Sequence, residues 1–123
     1  MILVDTSVWI DHFHANDPRL AALLVADEVG CHPMVIEELA LGSITQREVV
    51  LDSLENLHQF PVVTHEELLH LVNSHRLWGR GLSAVDAGLL GSVLIADGAK
   101  LWTRDKRLKQ ASIDVGVASI DEE

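Results

Sequence analysis

The chain has 123 residues and a formal net charge of −10, with 19 acidic side chains against nine lysines and arginines. This length suits one domain, residues 1–123, that is large enough to bury a core without disulfides. The single cysteine, Cys31, has no internal partner, and no apolar run reaches the ~18 residues of a membrane span, so we expect a cytoplasmic protein outside any membrane.

The charge is unevenly distributed along the chain. Residues 1–75 hold twelve acids and two basic residues, whereas residues 76–109 hold seven basic residues and three acids; residues 110–123 hold four acids and no basic residue. The whole chain would therefore repel a polyanion, while its basic stretch could attract one locally. The overall acidity also suits a basic protein partner.

Short apolar runs alternate with helical patterns along the whole chain. We predict strands at 1–4, 29–32, 60–63, 100–103 and 115–120. We predict helices at about 7–14, 18–27, 34–41, 46–57, 65–78, 84–96 and 105–111, with four of the N-caps at Asp17, Thr45, Thr64 and Ser83. This alternation predicts an α/β fold with a mostly parallel sheet covered by helices on both faces.

Acidic residues stand where the carboxyl edge of this sheet is predicted, which is where ligands of parallel sheets bind. Asp5 ends the first strand and Asp105 follows a later one, while Glu38 and Asp86 lie on helices that can lean over the same rim. Each acid also has a simple structural explanation. Asp5 and Asp105 can cap helices, Asp86 has the spacing of a capping box with Ser83, and Glu38 can be a surface residue. Spacing alone therefore leaves the function open.

Four segments resemble the signature blocks of VapC-type toxins in the PIN-domain ribonuclease family. In the family's order they are ILVDTSVWIDH, HPMVIEELALG, GRGLSAVDAGLL and LWTRDKRL, and together they span almost the whole chain. The resemblance implies a PIN-like three-layer fold with a mostly parallel sheet of four to five strands. It also implies an endoribonuclease that uses Mg²⁺ or Mn²⁺ and leaves a 5′-phosphate and a 3′-hydroxyl.

Carried over by position, the resemblance implies roles for individual residues. It makes four acids the catalytic metal ligands: Asp5, Glu38, Asp86 and Asp105. Thr6 and Thr103 match polar positions that help hold the site. The choice of Glu38 over the adjacent Glu37 rests on the resemblance, because helical periodicity does not decide it. Four basic residues in or beside the blocks are predicted to contact RNA phosphate: Arg80, Arg104, Lys106 and Arg107.

The predicted chemistry explains why such acids would need a cation. Carboxylates about 5 Å apart repel by about 3 kcal/mol per pair at an effective dielectric near 20. A hard divalent cation relieves this repulsion, and Mg²⁺ keeps several waters when a few carboxylates hold it. One such water becomes the nucleophile. The resemblance further implies two protein partners, a cognate antitoxin and a second copy of the chain in a homodimer.

Other classes of protein fit the sequence less well. His65 and His70 flank two glutamates, but a spacing of five puts them about 140° apart on a helix, which rules out a shared zinc ion on one face. A phosphoacceptor receiver domain would need an acidic pair after its first strand and a lysine ending a late one, whereas Lys100 begins its strand. The alternative that stays open is a catalytically silent PIN protein that binds RNA or protein as a scaffold.

Overall fold

The computed structural model describes residues 1–122, which form five strands and seven helices. The strands are β1 (Ile2–Val4), β2 (Val29–Cys31), β3 (His58–Gln59), β4 (Lys100–Trp102) and β5 (Ala118–Ser119). The helices are α1 (Thr6–His14), α2 (Pro18–Val25), α3 (Pro33–Ala40), α4 (Arg47–Glu55), α5 (His65–His75), α6 (Ala84–Ile95) and α7 (Lys106–Val115). The sheet is parallel throughout, in the order β3-β2-β1-β4-β5, which confirms the predicted α/β class.

The central strand β1 fixes the position of the site. All three of its residues are buried, as expected for a strand of a parallel sheet that helices cover on both faces. Val4 pairs with Trp102 of β4, and the amide of Asp5 donates to the Trp102 carbonyl at 2.8 Å. Because β1 and β4 are parallel and in register here, the residues that follow them, Asp5 and Thr103, emerge side by side at the carboxyl edge.

Several predicted boundaries are wrong, for identifiable reasons. The strand predicted at 60–63 lies earlier, at His58–Gln59, because Pro61 has no N–H to continue the ladder beyond Phe60. The last helix runs four residues further than predicted, to Val115, and Gly116 ends it in the left-handed conformation at φ +82°. The last strand is therefore only Ala118–Ser119.

The helix caps were predicted with more success. The side chains of Asp17, Thr64 and Ser83 cap α2, α5 and α6 as expected, and the last two form full capping boxes. Thr45 does not cap α4, because the N-cap position falls on Gln46, which has a left-handed backbone and makes no capping hydrogen bond.

The apolar helix α6 is the second structural support of the site after the sheet. Its residues from 87 to 93 are all buried, whereas Leu94 and Ile95 at its end are 41% and 52% exposed. No helix within residues 1–122 combines the length and apolar character needed to cross a bilayer.

Candidate active site

Asp5 lies at the centre of the candidate site. Its side chain follows β1 directly and is only 7% exposed. One carboxylate oxygen, Oδ1, accepts from the amide of Thr6 at 2.8 Å. The other, Oδ2, accepts from the hydroxyls of Thr103 at 2.7 Å and Ser7 at 3.2 Å. These donors hold the carboxylate in one orientation at the N-terminus of α1.

The environment of Asp5 does not favour its charge. Burial raises the pKa of Asp5 above its ordinary value, and the negative charge of nearby Asp86 raises it further. The hydrogen bonds from Thr103, Thr6 and Ser7 lower the pKa but do not offset burial. The hydrogen bonds therefore do not fully compensate the negative charge of the buried Asp5 beside Asp86. A cation bound there would stabilise the ionised carboxylate.

Thr6 connects Asp5 to the acid predicted on α3. The Thr6 hydroxyl donates to Oε1 of Glu38 at 2.7 Å, while its amide donates to Asp5. Glu38 itself is exposed, in the last turn of α3. Among the hydrogen bonds of residues 1–122, none joins the Glu37 side chain to this group. The geometry thus places Glu38, rather than its neighbour, in contact with the site.

Thr103 connects Asp5 to the acid at the start of α7. Its hydroxyl donates to Asp5 and accepts from the amide of Asp105 at 3.1 Å. The Asp105 carboxylate is exposed and caps α7 by accepting from the amides of Arg107 at 2.9 Å and Leu108 at 3.1 Å. Thr6 and Thr103 therefore each link Asp5 to a second acid, and their role in supporting a metal site stays a prediction.

Asp86 combines a structural position with proximity to Asp5. Its Oδ2 accepts from the Ser83 amide at 3.0 Å, and its own amide donates to the Ser83 hydroxyl at 3.1 Å. The simple structural explanations of Asp5, Asp86 and Asp105 are thus correct, since each lies at a helix N-terminus and accepts from backbone amides. They do not exclude a catalytic role, because the positive end of a helix dipole also favours the ionised carboxylates that a cation needs.

A divalent metal ion such as Mg²⁺ needs several oxygen ligands around one point. Within residues 1–122, no three His, Cys, Asp or Glu side chains converge closely enough to hold a metal ion as they stand. Two threonine hydroxyls instead link the acids. The donor set nevertheless consists of carboxylate and hydroxyl oxygens, without a sulfur ligand, which is the chemistry that Mg²⁺ and Mn²⁺ prefer. By their chemistry these residues fit a hard cation, and Asp5 and the nearby Asp86 would be its first ligands.

The four predicted phosphate contacts have different surroundings. Lys106 and Arg107 are exposed and make no ion pair within the part of the chain described. Arg80 pairs with Asp114 at 2.7 Å on the surface. Arg104 is paired with three carboxylates, so the structure gives it partners other than the phosphate that the sequence suggested.

Arg107 also joins two parts of the site. Its guanidinium lies against Gly81, where a Cβ atom would be only 2.7 Å from Nη1. Gly81 has φ +77°, a backbone conformation that favours glycine, whereas the flexible Arg107 side chain could move away from an added Cβ atom. The loop before α6 and the first turn of α7 therefore lie together beside Asp86 and Asp105.

Sequence reasoning missed two residues that support the site. Ser7 donates to Asp5 and accepts from the amide of Arg104 at 3.3 Å, so it joins the ends of β1 and β4. The signal for Ser7 was its place two residues after Asp5. His32 gave no signal in the sequence, because a histidine before a proline has many roles.

His32 connects the two helices that carry Glu38 and Asp86. The ring is fully buried, and its Nδ1 accepts from the Met34 amide at 3.1 Å, which caps α3. Nε2 therefore carries the proton and donates to the Ser92 hydroxyl at 3.0 Å, and that hydroxyl donates to the Gly88 carbonyl in α6 at 2.9 Å. Burial lowers the pKa of His32, which keeps the ring neutral.

The fold and the site together define a class of protein: a parallel α/β domain with an acidic oxygen-donor site at the carboxyl edge of its central strands. The chain belongs to the PIN-domain family, whose family model, described as PIN domain, matches residues 2–114. A curated relative, Ribonuclease VapC32 of Mycobacterium tuberculosis strains CDC 1551 / Oshkosh and ATCC 25618 / H37Rv, is 70% identical over 122 residues. These residues are 99% of this chain and 98% of the relative.

Solved structures give the same fold. FitAcB from Neisseria gonorrhoeae is 18% identical with a TM-score of 0.64, and the match covers 98% of this chain and 97% of that one. PAE2754 from Pyrobaculum aerophilum is 17% identical with a TM-score of 0.62, and the match covers 89% and 83%. At these identities the likeness shows the fold alone. The predicted PIN-like fold and the resemblance to VapC-type toxins are both confirmed.

The raised pKa of Asp5 leads to a prediction about stability. Because the folded state holds the proton of Asp5 more tightly than the unfolded state, stability falls as pH rises from about 3.8 through the raised folded pKa. Asp5→Asn removes this loss, and asparagine caps a helix about as well as aspartate. We expect a higher free energy of unfolding for the variant at pH 7, with a gain over wild type that shrinks as pH approaches 4.

Urea unfolding from pH 4 to pH 8 without divalent cations measures this difference. A variant less stable than wild type at pH 7, or a difference independent of pH, would show that the Asp5 charge does not cost stability.

The buried histidine leads to a second prediction. Ser92→Ala removes the acceptor of the His32 Nε2–H and should cost about 1–3 kcal/mol of unfolding free energy, as expected for an unsatisfied buried donor. Ser112→Ala is the matched control, because Ser112 is also buried and its hydroxyl donates to a carbonyl of its own helix, that of Lys109 at 2.6 Å. Denaturant unfolding at pH 7.5 compares them, and equal losses would contradict a structural role for the His32 contact.

Proposed function

We propose that the chain is a metal-dependent endoribonuclease and the toxin of a toxin–antitoxin pair of the VapBC type. The observation that carries this proposal is the network in which the buried Asp5 is linked through Thr6 to Glu38 and through Thr103 to Asp105. The sequence comparison also supports the proposal, since this network lies in a chain 70% identical to a protein named a ribonuclease.

In this proposal the chain binds a divalent cation through Asp5, Asp86, Glu38 and Asp105. When bound, Mg²⁺ or Mn²⁺ supplies an activated water and shields the charge that develops at phosphorus. The hydroxyls of Thr103 and Ser7 fix the orientation of the Asp5 carboxylate, so that little of its freedom is lost on binding.

The RNA would approach the site along the first turn of α7. Lys106 and Arg107 lie directly after Asp105 and are exposed, so they are the side chains best placed to bind phosphate oxygens. Arg80 lies in the loop before α6 and can join them from its surface pair with Asp114. The chain is acidic overall, and these basic side chains form a local positive region. RNA phosphate would therefore be attracted only near the site.

Two protein partners belong to the proposal. A cognate antitoxin would carry basic side chains toward the acidic site, in keeping with the net charge of −10. A second copy of the chain would cover the exposed end of α6 at Leu94 and Ile95, and the protein would act in the cytoplasm. Co-expression with the product of the neighbouring gene tests the first partner, and light scattering of the purified protein, expected to give a dimer, tests the second.

The activity is tested by cleavage of labelled RNA in the presence and absence of Mg²⁺. Asp5→Asn should lose at least about a hundredfold in rate, because it removes a charge at the centre of the cation site. Glu38→Gln should also lose most activity. Glu37→Gln is the matched control, since it makes the same change one residue away, and it should keep near-wild-type activity.

The outcomes separate the proposal from its rival. Cleavage that survives EDTA, or that is unchanged in Asp5→Asn and Glu38→Gln, would contradict the metal-dependent mechanism. If Glu37→Gln fails and Glu38→Gln does not, the ligand on α3 is misassigned. Tight RNA binding without any cleavage, in wild type as in the variants, would favour the silent scaffold.

A further inference from the structure

Arg104 lies between two residues of the site and yet turns its side chain away from them. Thr103 and Asp105 flank it in the turn from β4 to α7. The Arg104 backbone belongs to the site, because its amide donates to the Ser7 hydroxyl, which in turn donates to Asp5. The turn is thus held on its inner side by contacts to the hydroxyls of Ser7 and Thr103.

The side chain of Arg104 holds the same turn from the outer side. Nη1 donates to Asp11 at 2.7 Å and Nη2 to Asp17 at 2.6 Å, both on the α1–α2 segment. Nε donates to both carboxylate oxygens of Glu122, at 3.0 and 3.1 Å, near the C-terminus. The planar guanidinium suits such a bridge, because it offers donors in several fixed directions at once.

The surroundings make this bridge more than an exposed surface pair. The Arg104 side chain is 27% exposed and its guanidinium lies 5.7 Å from the centre of the buried Trp102 ring. The Trp102 indole N–H donates to the same Glu122 carboxylate. Hydrogen bonds from Arg104 lower the pKa of Glu122, so that this carboxylate stays ionised at neutral pH.

The charge balance argues against a phosphate at Arg104. One guanidinium faces three carboxylates, which leaves the group with two net negative charges, and such a group repels a polyanion. A phosphate would have to displace charge-assisted hydrogen bonds that are already short. Lys106 and Arg107, by contrast, make no ion pair among the described residues and so are available to phosphate.

Resting on the proposed ribonuclease function, we infer that Arg104 is a positioning residue. With Asp11, Asp17 and Glu122 it clamps the β4–α7 turn, and so sets Thr103 and Asp105 against Asp5. We call these four side chains the Arg104 clamp. Glu122, which lies near the C-terminal end of the chain, then contributes to catalysis without approaching the substrate. The rate should depend on the clamp more than the affinity for RNA does.

The most discriminating variant is Glu122→Gln. If the clamp positions the turn, weakening it should lower kcat, by about tenfold for a displacement below 1 Å, with little change in KM. If Arg104 instead contacts phosphate, freeing it from Glu122 should tighten RNA binding and leave kcat unchanged. The two interpretations therefore differ for the same variant, since one predicts a change in kcat and the other a change in RNA binding.

Asp121→Asn is the matched control. It removes the same charge from the adjacent residue, whose carboxylate is 85% exposed and pairs with Lys109 rather than with the clamp. It should leave kcat and KM unchanged, which separates the clamp from a general effect of tail charge.

Arg104→Lys gives a second, independent comparison. Lysine keeps the charge but cannot bridge three carboxylates, so kcat should fall while the salt dependence of RNA binding keeps its slope. Lysine can still contact a phosphate as a point charge, so a phosphate role for Arg104 would instead leave kcat near the wild-type value. A lysine variant with full kcat would overturn the inference.

Amide hydrogen exchange keeps the inference testable apart from activity. The Arg104 and Asp105 amides, bonded to Ser7 and Thr103, should lose protection in Glu122→Gln and Arg104→Lys but not in Asp121→Asn. Unchanged protection would refute the clamp even if wild type cleaves RNA. If wild type cleaves no RNA and protection still falls, the ribonuclease proposal fails and the clamp stands as a structural device.

Discussion

The burial of one carboxylate at the end of the central strand is the constraint on which the rest of the site depends. Asp5 is 7% exposed, and each of its oxygens accepts hydrogen bonds. An ionised carboxylate in such a place is costly unless donors or a cation compensate it. Thr6, Ser7 and Thr103 compensate part of the cost, and each of them extends the arrangement outward to a further element.

The same residues that stabilise the fold also build the site. Asp5 and Asp105 are the N-caps of α1 and α7, and Asp86 lies in the first turn of α6, so the acids are held by amides that the helices leave unpaired. Directly after β2, His32 joins α3 to α6 through a buried chain of hydrogen bonds that includes Ser92. The Arg104 clamp completes this frame from outside. A site built from helix starts needs little additional structure, which suits a chain of this length.

Asp5 also illustrates how a residue with a proposed function can reduce stability. The negative charge of nearby Asp86 raises its pKa further, so the two charges oppose folding. Natural proteins retain such costs where activity requires them. The absence of a finished three-ligand cluster within residues 1–122 is consistent with this view, because threonine hydroxyls separate acids whose charges repel.

Much of the fold could be predicted from the sequence. Apolar runs identified β1, β2 and β4 to within a residue at each end, because a parallel strand buried on both faces leaves an unbroken apolar signal. The prediction places β3 two residues too late and makes β5 too long, since strands of two residues carry too little pattern to locate. The end of α7 was also missed, because its stop depends on the left-handed Gly116.

The sequence named candidate members of the site, but it could not give the connections between them. The signature blocks named Asp5, Glu38, Asp86 and Asp105, and the structure links Asp5 to Glu38 and Asp105 through threonines. The partners of Arg104 could not be predicted, because Asp11, Asp17 and Glu122 are 93, 87 and 18 residues away in the chain. Such contacts exist only after the sheet brings both ends of the chain to one edge.

Titration with Mn²⁺, followed by electron paramagnetic resonance, tests whether Asp5, Glu38, Asp86 and Asp105 hold a divalent cation. Free Mn²⁺ gives a strong signal that weakens when the ion binds. The wild-type chain should bind Mn²⁺ saturably and in competition with Mg²⁺, and a chain that carries Asp86→Asn should lose this binding. Binding of equal strength in that variant, or no binding by wild type at millimolar Mn²⁺, would contradict a cation site at these acids.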